Sequence, residues 1–139
     1  MKNLFDVSGK VAVVTGGSRG IGAMIARGFV ENGVKTYITA RKEKELQETA
    51  QELSRLGECI AIASDLSTLE GVIAFADAVK ARDSSVHMLV NNAGATWGAD
   101  IDEFPESGWD KTMDLNVKSM FFLTQQLLPA LRAAGSEAD

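Results

Sequence analysis

The sequence has little of what several protein classes require. Among its 139 residues there are one cysteine, one histidine and two prolines. The single cysteine, Cys59, excludes an intrachain disulfide and a cysteine-rich zinc site, and it fits a reducing compartment, so we expect a cytoplasmic protein. With so little proline and 45% hydrophobic residues, the composition is that of a folded globular chain rather than a disordered or collagen-like one.

Long apolar runs and an excess of positive charge are also missing. No apolar run reaches the ~18 residues of a membrane span, and residues 1–9 are too polar for a signal-peptide core. The net charge of −5 argues against binding to nucleic acid or to an anionic membrane. The one histidine, His87, has no second ligand or nucleophile at a useful spacing, so we predict a structural histidine and no metal site. We expect a soluble protein that is not exported.

What the sequence does contain is a regular alternation of strand and helix patterns. Short β-branched runs at 11–15, 35–40, 58–64 and 86–90 predict four buried strands. Apolar residues at helical spacing predict a helix after each of the first three. Apolar strands separated by helices of about 10 to 15 residues are typical of a parallel sheet with helices on both faces. The βαβαβαβ pattern therefore predicts a doubly wound α/β fold with strand order 3-2-1-4.

Beyond the fourth predicted strand the pattern changes. Residues 91–105 lack periodicity and predict a loop at the sheet edge where ligands bind in such folds. A short helix is expected from Glu106, and a longer one over 116–134, within which Pro129 predicts a kink or a first-turn position. Apolar residues surround nearly the whole circumference of the longer helix, so it needs cover on two sides. We expect a homodimer or homotetramer formed through it.

A glycine-rich segment joins the first predicted strand to the first helix. Residues 15–22 read TGGSRGIG, which places glycines at GxxxGxG spacing. Backbone N–H groups at such a turn, together with the dipole of the following helix, can bind a pyrophosphate. Glycines at strand ends also serve tight turns and helix packing, so a purely structural turn is the alternative.

The end of the second predicted strand indicates which dinucleotide would bind. An NAD site carries an acidic residue there to accept hydrogen bonds from the ribose, but this chain has Thr39, Ala40 and Arg41. Arg41 and Arg19 offer two cations to a 2′-phosphate, which a carboxylate would repel. The sequence therefore favours NADP(H). The alternative is that Arg41 is a solvated residue at a helix start that pairs with Glu45.

Four motifs, in order along the chain, carry a resemblance to a known family. They are the glycine turn at 15–22, Asp65-Leu66 after the third strand, NNAG at 91–94, and Asn116 within LNV. Together they resemble the classical short-chain dehydrogenases/reductases, and the resemblance runs from about residue 9 to the last residue, the amino-terminal half of a family domain. The TWG stretch at 96–98 looks most like NADPH-dependent 3-oxoacyl (β-ketoacyl) reductases, including the type associated with rhamnolipid synthesis.

The resemblance implies a Rossmann-like fold and an NADP(H)-dependent oxidoreductase that interconverts a small-molecule carbonyl and a secondary alcohol by hydride transfer. Asn116 resembles the family's catalytic asparagine, whose main-chain carbonyl positions a water in a proton relay. The implied cofactor-binding residues are Gly16, Ser18, Arg19, Gly20, Ile21 and Gly22 at the ribose and pyrophosphate, Arg41 at the 2′-phosphate, Asp65 and Leu66 at the adenine, and Asn92, Ala93 and Gly94 near the nicotinamide ribose. Ordinary structural alternatives are a helix cap for Asp65 and for Asn116, and a simple turn at 91–92.

The serine, tyrosine and lysine that this family's chemistry requires do not occur here in the family's pattern. The one tyrosine, Tyr37, precedes Arg41 by four residues, but on a strand that spacing separates two side chains by about 13 Å, so Tyr37 is expected to be a sheet residue. We expect residues 1–139 to be the amino-terminal part of a single dinucleotide-binding domain in a longer polypeptide, and to be inactive alone. The alternative to an enzyme is a dinucleotide-binding module without catalysis.

Overall fold

Four short strands within residues 3–137 form one parallel sheet. The computed structural model describes residues 3–137. The strands are β1 (Val11–Thr15), β2 (Lys35–Thr39), β3 (Cys59–Ala61) and β4 (Met88–Val90). Their order is β3-β2-β1-β4 and every neighbouring pair is parallel. This arrangement confirms the predicted doubly wound fold and its strand order.

In the described part of the chain, five α-helices connect and follow the strands. They are α1 (Gly20–Glu31), α2 (Glu43–Leu53), α3 (Leu69–Lys80), α4 (Glu106–Met113) and α5 (Ser119–Gly135). The predicted loop at 91–105 is irregular apart from one 3₁₀ turn, Ile101–Glu103. The predicted start of the long helix at Asn116 is wrong, because a π-helical turn, Asp114–Lys118, separates α4 from α5. Within residues 3–137 no helix is long and apolar enough to cross a membrane.

The core has one layer on each face of the sheet, because successive side chains along β1 and β2 point to opposite faces. Val13 and Tyr37 face the layer built from α3 and α5. Val14 and Ile38 face the layer built from α1 and α2. All four side chains are fully buried. The sheet is therefore held from both sides, which leaves its edges and strand ends as the places where a ligand can approach.

The long helix α5 buries only one of its apolar sides. Leu123 and Leu127 pack into the layer beside α3, whereas Phe121 is 64% exposed. Pro129 lies inside α5 and not in its first turn. The exposed apolar side agrees with the expectation that this helix needs further cover, and what covers it stays a prediction.

Tyr37 and His87 have the structural environments expected of them. The Tyr37 hydroxyl bonds the carboxylate of Asp83, and burial raises the pKa of Tyr37 to about 12. Nδ1 of His87 accepts the backbone N–H of Val11 at 3.0 Å, and its Nε2 lies 2.7 Å from the Glu137 carboxylate. Both side chains join elements of the fold.

Candidate nucleotide-binding site

The glycine turn between β1 and α1 is packed so tightly that its geometry admits no side chain at two positions. Gly16 has φ +64°, which L-residues rarely adopt, and a Cβ there would lie 3.0 Å from the Cα of Ala93. A Cβ on Gly22 would lie 2.0 Å from the carbonyl oxygen of Gly16. The first turn of α1 therefore presses directly against the end of β1.

A network of hydrogen bonds joins the carboxyl ends of β1 and β4. The hydroxyl oxygen of Thr15 accepts the backbone N–H groups of Asn92 at 3.0 Å and of Ala93 at 2.9 Å. The side-chain amide of Asn92 donates to the carbonyl oxygens of Thr15 at 3.1 Å and Gly16 at 3.2 Å. The simple-turn alternative for residues 91–92 is therefore wrong, because Asn92 cross-links two parts of the fold far apart in sequence.

A cavity of about 330 Å³ lies at this carboxyl edge of the sheet. Nine of the residues predicted from the sequence line it, and they are Gly16, Ser18, Arg19, Gly20, Arg41, Leu66, Asn92, Ala93 and Gly94. The structure thus brings the glycine turn, the end of β2, the segment after β3 and the exit of β4 around one space.

Four of the predicted site residues do not line that cavity. Ile21 is 68% exposed on α1, and Gly22 packs behind the turn. The Asp65 carboxylate accepts the hydroxyl of Ser67 at 2.7 Å and its backbone N–H at 3.0 Å, and the bond from the hydroxyl is the main reason that the pKa of Asp65 is lowered. Asp65 does not cap α3, since Thr68 does so by accepting the N–H of Gly71 at 3.1 Å.

Asn116 is the fourth, and it holds the loop that leaves β4. Its side-chain oxygen accepts the N–H of Ala95 at 2.8 Å, and its amide donates to the carbonyl oxygen of Ala95 at 2.7 Å. The alternative of a helix cap is therefore wrong. Because both hydrogen bonds end on one residue beside Gly94, the π-helical turn fixes the position of the backbone at the cavity wall.

Positive charge predominates on the side of the cavity formed by β2 and α2. Arg19, Arg41 and Lys42 line it, and Glu45 is the one carboxylate among its lining residues. The expected alternative pairing of Arg41 with Glu45 is absent from residues 3–137. Glu45 instead lies 3.9 Å from Nε of Arg19 and accepts the hydroxyl of Ser18 at 3.1 Å. Arg41 and Lys42 make no ion pair within the described chain.

Six further residues line the cavity without having been predicted from the sequence, and they are Thr39, Ala40, Lys42, Glu45, Ser64 and Leu115. The first two immediately precede Arg41 and could have been chosen by proximity alone. Thr39 is the most informative of the six, because its hydroxyl is buried and has no hydrogen-bond partner among residues 3–137. Glu45 and Leu115 lie on helical segments, where one charged or apolar residue in a periodic pattern gives no sign of lining a cavity.

The model of the short chain dehydrogenase family matches residues 10–138, and the chain belongs to this family. It is 47% identical over 136 residues to the rhamnolipids biosynthesis 3-oxoacyl-[acyl-carrier-protein] reductase of Pseudomonas aeruginosa, covering 98% of this chain and 53% of that protein. It is 36% identical over 133 residues to 2-dehydro-3-deoxy-D-gluconate 5-dehydrogenase of Escherichia coli, with 95% and 52% covered. These findings confirm the resemblance stated on the sequence motifs.

Solved structures give the same result. The Pseudomonas aeruginosa RhlG/NADP active-site complex is similar with a TM-score of 0.92 and 47% identity, over 99% of this chain and 54% of that one. L-sorbose reductase from Gluconobacter frateurii, complexed with NADPH and L-sorbose, is similar with a TM-score of 0.88 and 37% identity, over 93% and 50%. The chain spans about half the length of the relatives that it matches.

Proposed function

We propose that the intact protein is an NADP(H)-dependent oxidoreductase that interconverts a carbonyl and a secondary alcohol by hydride transfer, and that this chain supplies its dinucleotide site. The observation that carries the proposal is the cavity where the glycine turn meets Arg19, Arg41 and Lys42. The relatives of known structure that were solved with NADP or NADPH support the same choice of cofactor.

The residues around the cavity fit a phosphorylated dinucleotide. Gly20 lines the cavity, and a Cβ there would meet no protein atom within 4 Å, so the lack of a side chain leaves room for a pyrophosphate to approach the N–H groups of the turn. Cations at the end of β2 can neutralise a 2′-phosphate, and no acidic residue stands at that strand end.

Each group has a separate task in this proposal. When bound, NADPH supplies the hydride. Arg19 and Arg41 hold the 2′-phosphate, Leu66 supplies an apolar contact for the adenine, and the wall at 92–94 faces the nicotinamide ribose. Asp65 fixes the segment that presents Leu66. Asn116 holds the loop at Ala95 through its side chain. Its main-chain carbonyl would position a water, as the resemblance implies.

The substrate is the finer part of the proposal. A 3-oxoacyl thioester is the first candidate, because the relative at 47% identity is named as a 3-oxoacyl-[acyl-carrier-protein] reductase. A keto sugar or keto sugar acid is the second, because another relative is named as a 2-dehydro-3-deoxy-D-gluconate dehydrogenase. We further propose that residues 1–139 form the amino-terminal part of one domain, that the protein is cytoplasmic, and that α5 contributes to a homodimer or homotetramer.

The test is a titration of the intact protein with NADPH and with NADH, followed by turnover with a panel of 3-oxoacyl thioesters, keto sugars and simple ketones. We expect tighter binding of NADPH and its oxidation by at least one member of the panel. Lys44→Ala serves as the charge control for Arg41→Ala, because Lys44 lies near Arg41 in sequence but does not line the cavity. NADPH binding without any turnover would favour a non-catalytic module, and no binding of either dinucleotide would refute the proposal.

A further inference from the structure

A carboxylate lies in the wall of the cavity where an anionic ligand would be expected to meet only donors and cations. Glu45 stands in the first turn of α2, and its side chain is 34% exposed. It lines the cavity together with Arg19, Arg41 and Lys42. A negative charge beside a phosphate site costs binding energy, so this residue needs an explanation beyond that of a solvated helix face.

The contacts of Glu45 give it a role in the empty site. Its carboxylate accepts the hydroxyl of Ser18 at 3.1 Å and lies 3.9 Å from Nε of Arg19. One turn later on α2, the hydroxyl of Thr49 donates to the backbone carbonyl of Ser18 at 2.6 Å. Glu45 and Thr49 of α2 thus both bind Ser18. Glu45 also faces the guanidinium group of the next residue in the turn, Arg19.

The pairing with Arg19 is loose enough to be exchanged. The Arg19 side chain is 78% exposed and its distance to the carboxylate is at the limit of an ion pair. Exposed pairs of this kind contribute little stability. A dianionic phosphate entering the cavity can therefore compete for Arg19, while the Glu45 charge stays nearby and repels it.

We propose, building on the dinucleotide function proposed above, that Glu45 determines how strongly this site prefers a dinucleotide with a 2′-phosphate over one without. It positions Ser18 and Arg19 while the site is empty. Once the ligand is bound, the negative charge of Glu45 offsets part of the attraction that Arg19, Arg41 and Lys42 exert on the 2′-phosphate. The ratio of the NADH to the NADPH dissociation constants is therefore lower than the three cations alone would give. NADPH is also released faster than it would be from a site without the carboxylate.

The substitution Glu45→Gln isolates the charge, because the amide oxygen can still accept the hydroxyl of Ser18. We expect the ratio of the NADH to the NADPH dissociation constants to rise roughly threefold to tenfold, chiefly through tighter NADPH binding. The effect is modest because the charge that is removed is partly exposed to solvent. Glu45→Asp keeps the charge and should leave the ratio within about twofold of the wild-type value. At about 1 M salt, where the Debye length is ~3 Å, the effect of Glu45→Gln should shrink.

Glu48→Gln is the matched control. Glu48 lies on the same helix and carries the same charge, but its side chain is 65% exposed, faces Lys44 and does not line the cavity. Both variants and the wild type are titrated with NADPH and NADH in the intact protein, by calorimetry at low and high salt. A role limited to holding Ser18 would change the affinities for both dinucleotides equally and leave their ratio alone.

An unchanged or lower ratio in Glu45→Gln overturns the inference, and so does an equal rise in Glu48→Gln. Failure of the wild-type protein to bind either dinucleotide refutes the proposed function itself, and this result is distinct from the others. A rise in the ratio that is confined to Glu45→Gln and is smaller at high salt supports the assignment.

Discussion

Two glycines of helix α1 provide an internal comparison for the packing of the nucleotide turn. A Cβ on Gly22 would lie 2.0 Å from the carbonyl oxygen of Gly16 and 2.6 Å from Nδ2 of Asn92. A Cβ on Gly28, six positions later in the same helix, would have no atom within 4 Å. Both changes to alanine gain helix propensity, and only the first introduces a collision.

The magnitudes of the two effects can be separated. Replacing glycine by alanine inside a helix stabilises it by about 1 kcal/mol, so Gly28→Ala should raise the free energy of unfolding by up to that amount. At Gly22 the neighbouring carbonyl must retreat by more than 1 Å to restore the 3.4 Å of an ordinary contact. Overpacking of this kind costs about 1 to 3 kcal/mol, so Gly22→Ala should be net destabilising. Because the gain in helix propensity is common to both, we expect the free energies of unfolding of the two variants to differ by about 1 to 3 kcal/mol.

Urea unfolding followed by circular dichroism measures these free energies, and unchanged slopes would show that the denatured state is not the cause. A parallel NADPH titration should show at least a tenfold loss of affinity in Gly22→Ala, because opening the turn moves its N–H groups, and no loss in Gly28→Ala. Equal stability and equal affinity in the two variants would refute the close packing of α1 against the end of β1.

The remaining predictions concern single side chains. Asn116→Leu should lower the free energy of unfolding by about 1 to 3 kcal/mol, because it leaves the N–H and carbonyl of Ala95 without their side-chain partners. Chemical denaturation of this variant, with Asn116→Asp measured alongside, checks the value. Arg41→Ala should weaken NADPH binding roughly tenfold or more while leaving NADH unaffected, as titration at two salt concentrations would show; equal losses for both would contradict a phosphate contact. Burial raises the pKa of Tyr37 to about 12 from an ordinary value of 10.0, so the stability that this residue contributes should be complete below pH 10 and fall as the pH rises through 12. Tyr37→Phe should make that decline shallower in unfolding curves at high pH and leave the pH dependence of turnover unchanged, since its hydroxyl bonds Asp83.

The order of strands and helices was predictable from sequence because the hydrophobic period is a local property of each segment. The ends of the outer strands were less predictable from the sequence. Residues 58–64 were predicted as a strand, whereas β3 spans Cys59–Ala61. Among residues 3–137 this strand lies at the edge of the sheet and pairs only with β2. Bonds such as that from Ile62 N to Ile38 O at 3.0 Å continue the pairing beyond the strand's assigned end. Apolar composition cannot show where pairing on one side stops.

The site likewise contains residues that could be predicted from the sequence and residues that could not. The glycine turn could be recognised because its residues are contiguous and lie between a strand and a helix. Glu45 could not, because its contact with Ser18 joins residues 27 positions apart and depends on how α2 packs beside the turn. The part played by the Asn116 side chain was likewise hidden, since its partner Ala95 lies 21 positions away across a loop with no repeating pattern.

The hydroxyl of Thr15 has a consequence for how this chain acquires its binding site during synthesis. Its hydrogen bonds to the N–H groups of Asn92 and Ala93 span 77 and 78 residues. A nascent chain that has emerged only as far as α2 contains the glycine turn, yet the opposite wall of the cavity does not exist until β4 and its exit have left the ribosome. Dinucleotide therefore cannot assist the early folding of β1 and α1, and its stabilising effect begins only when that long-range closure is made.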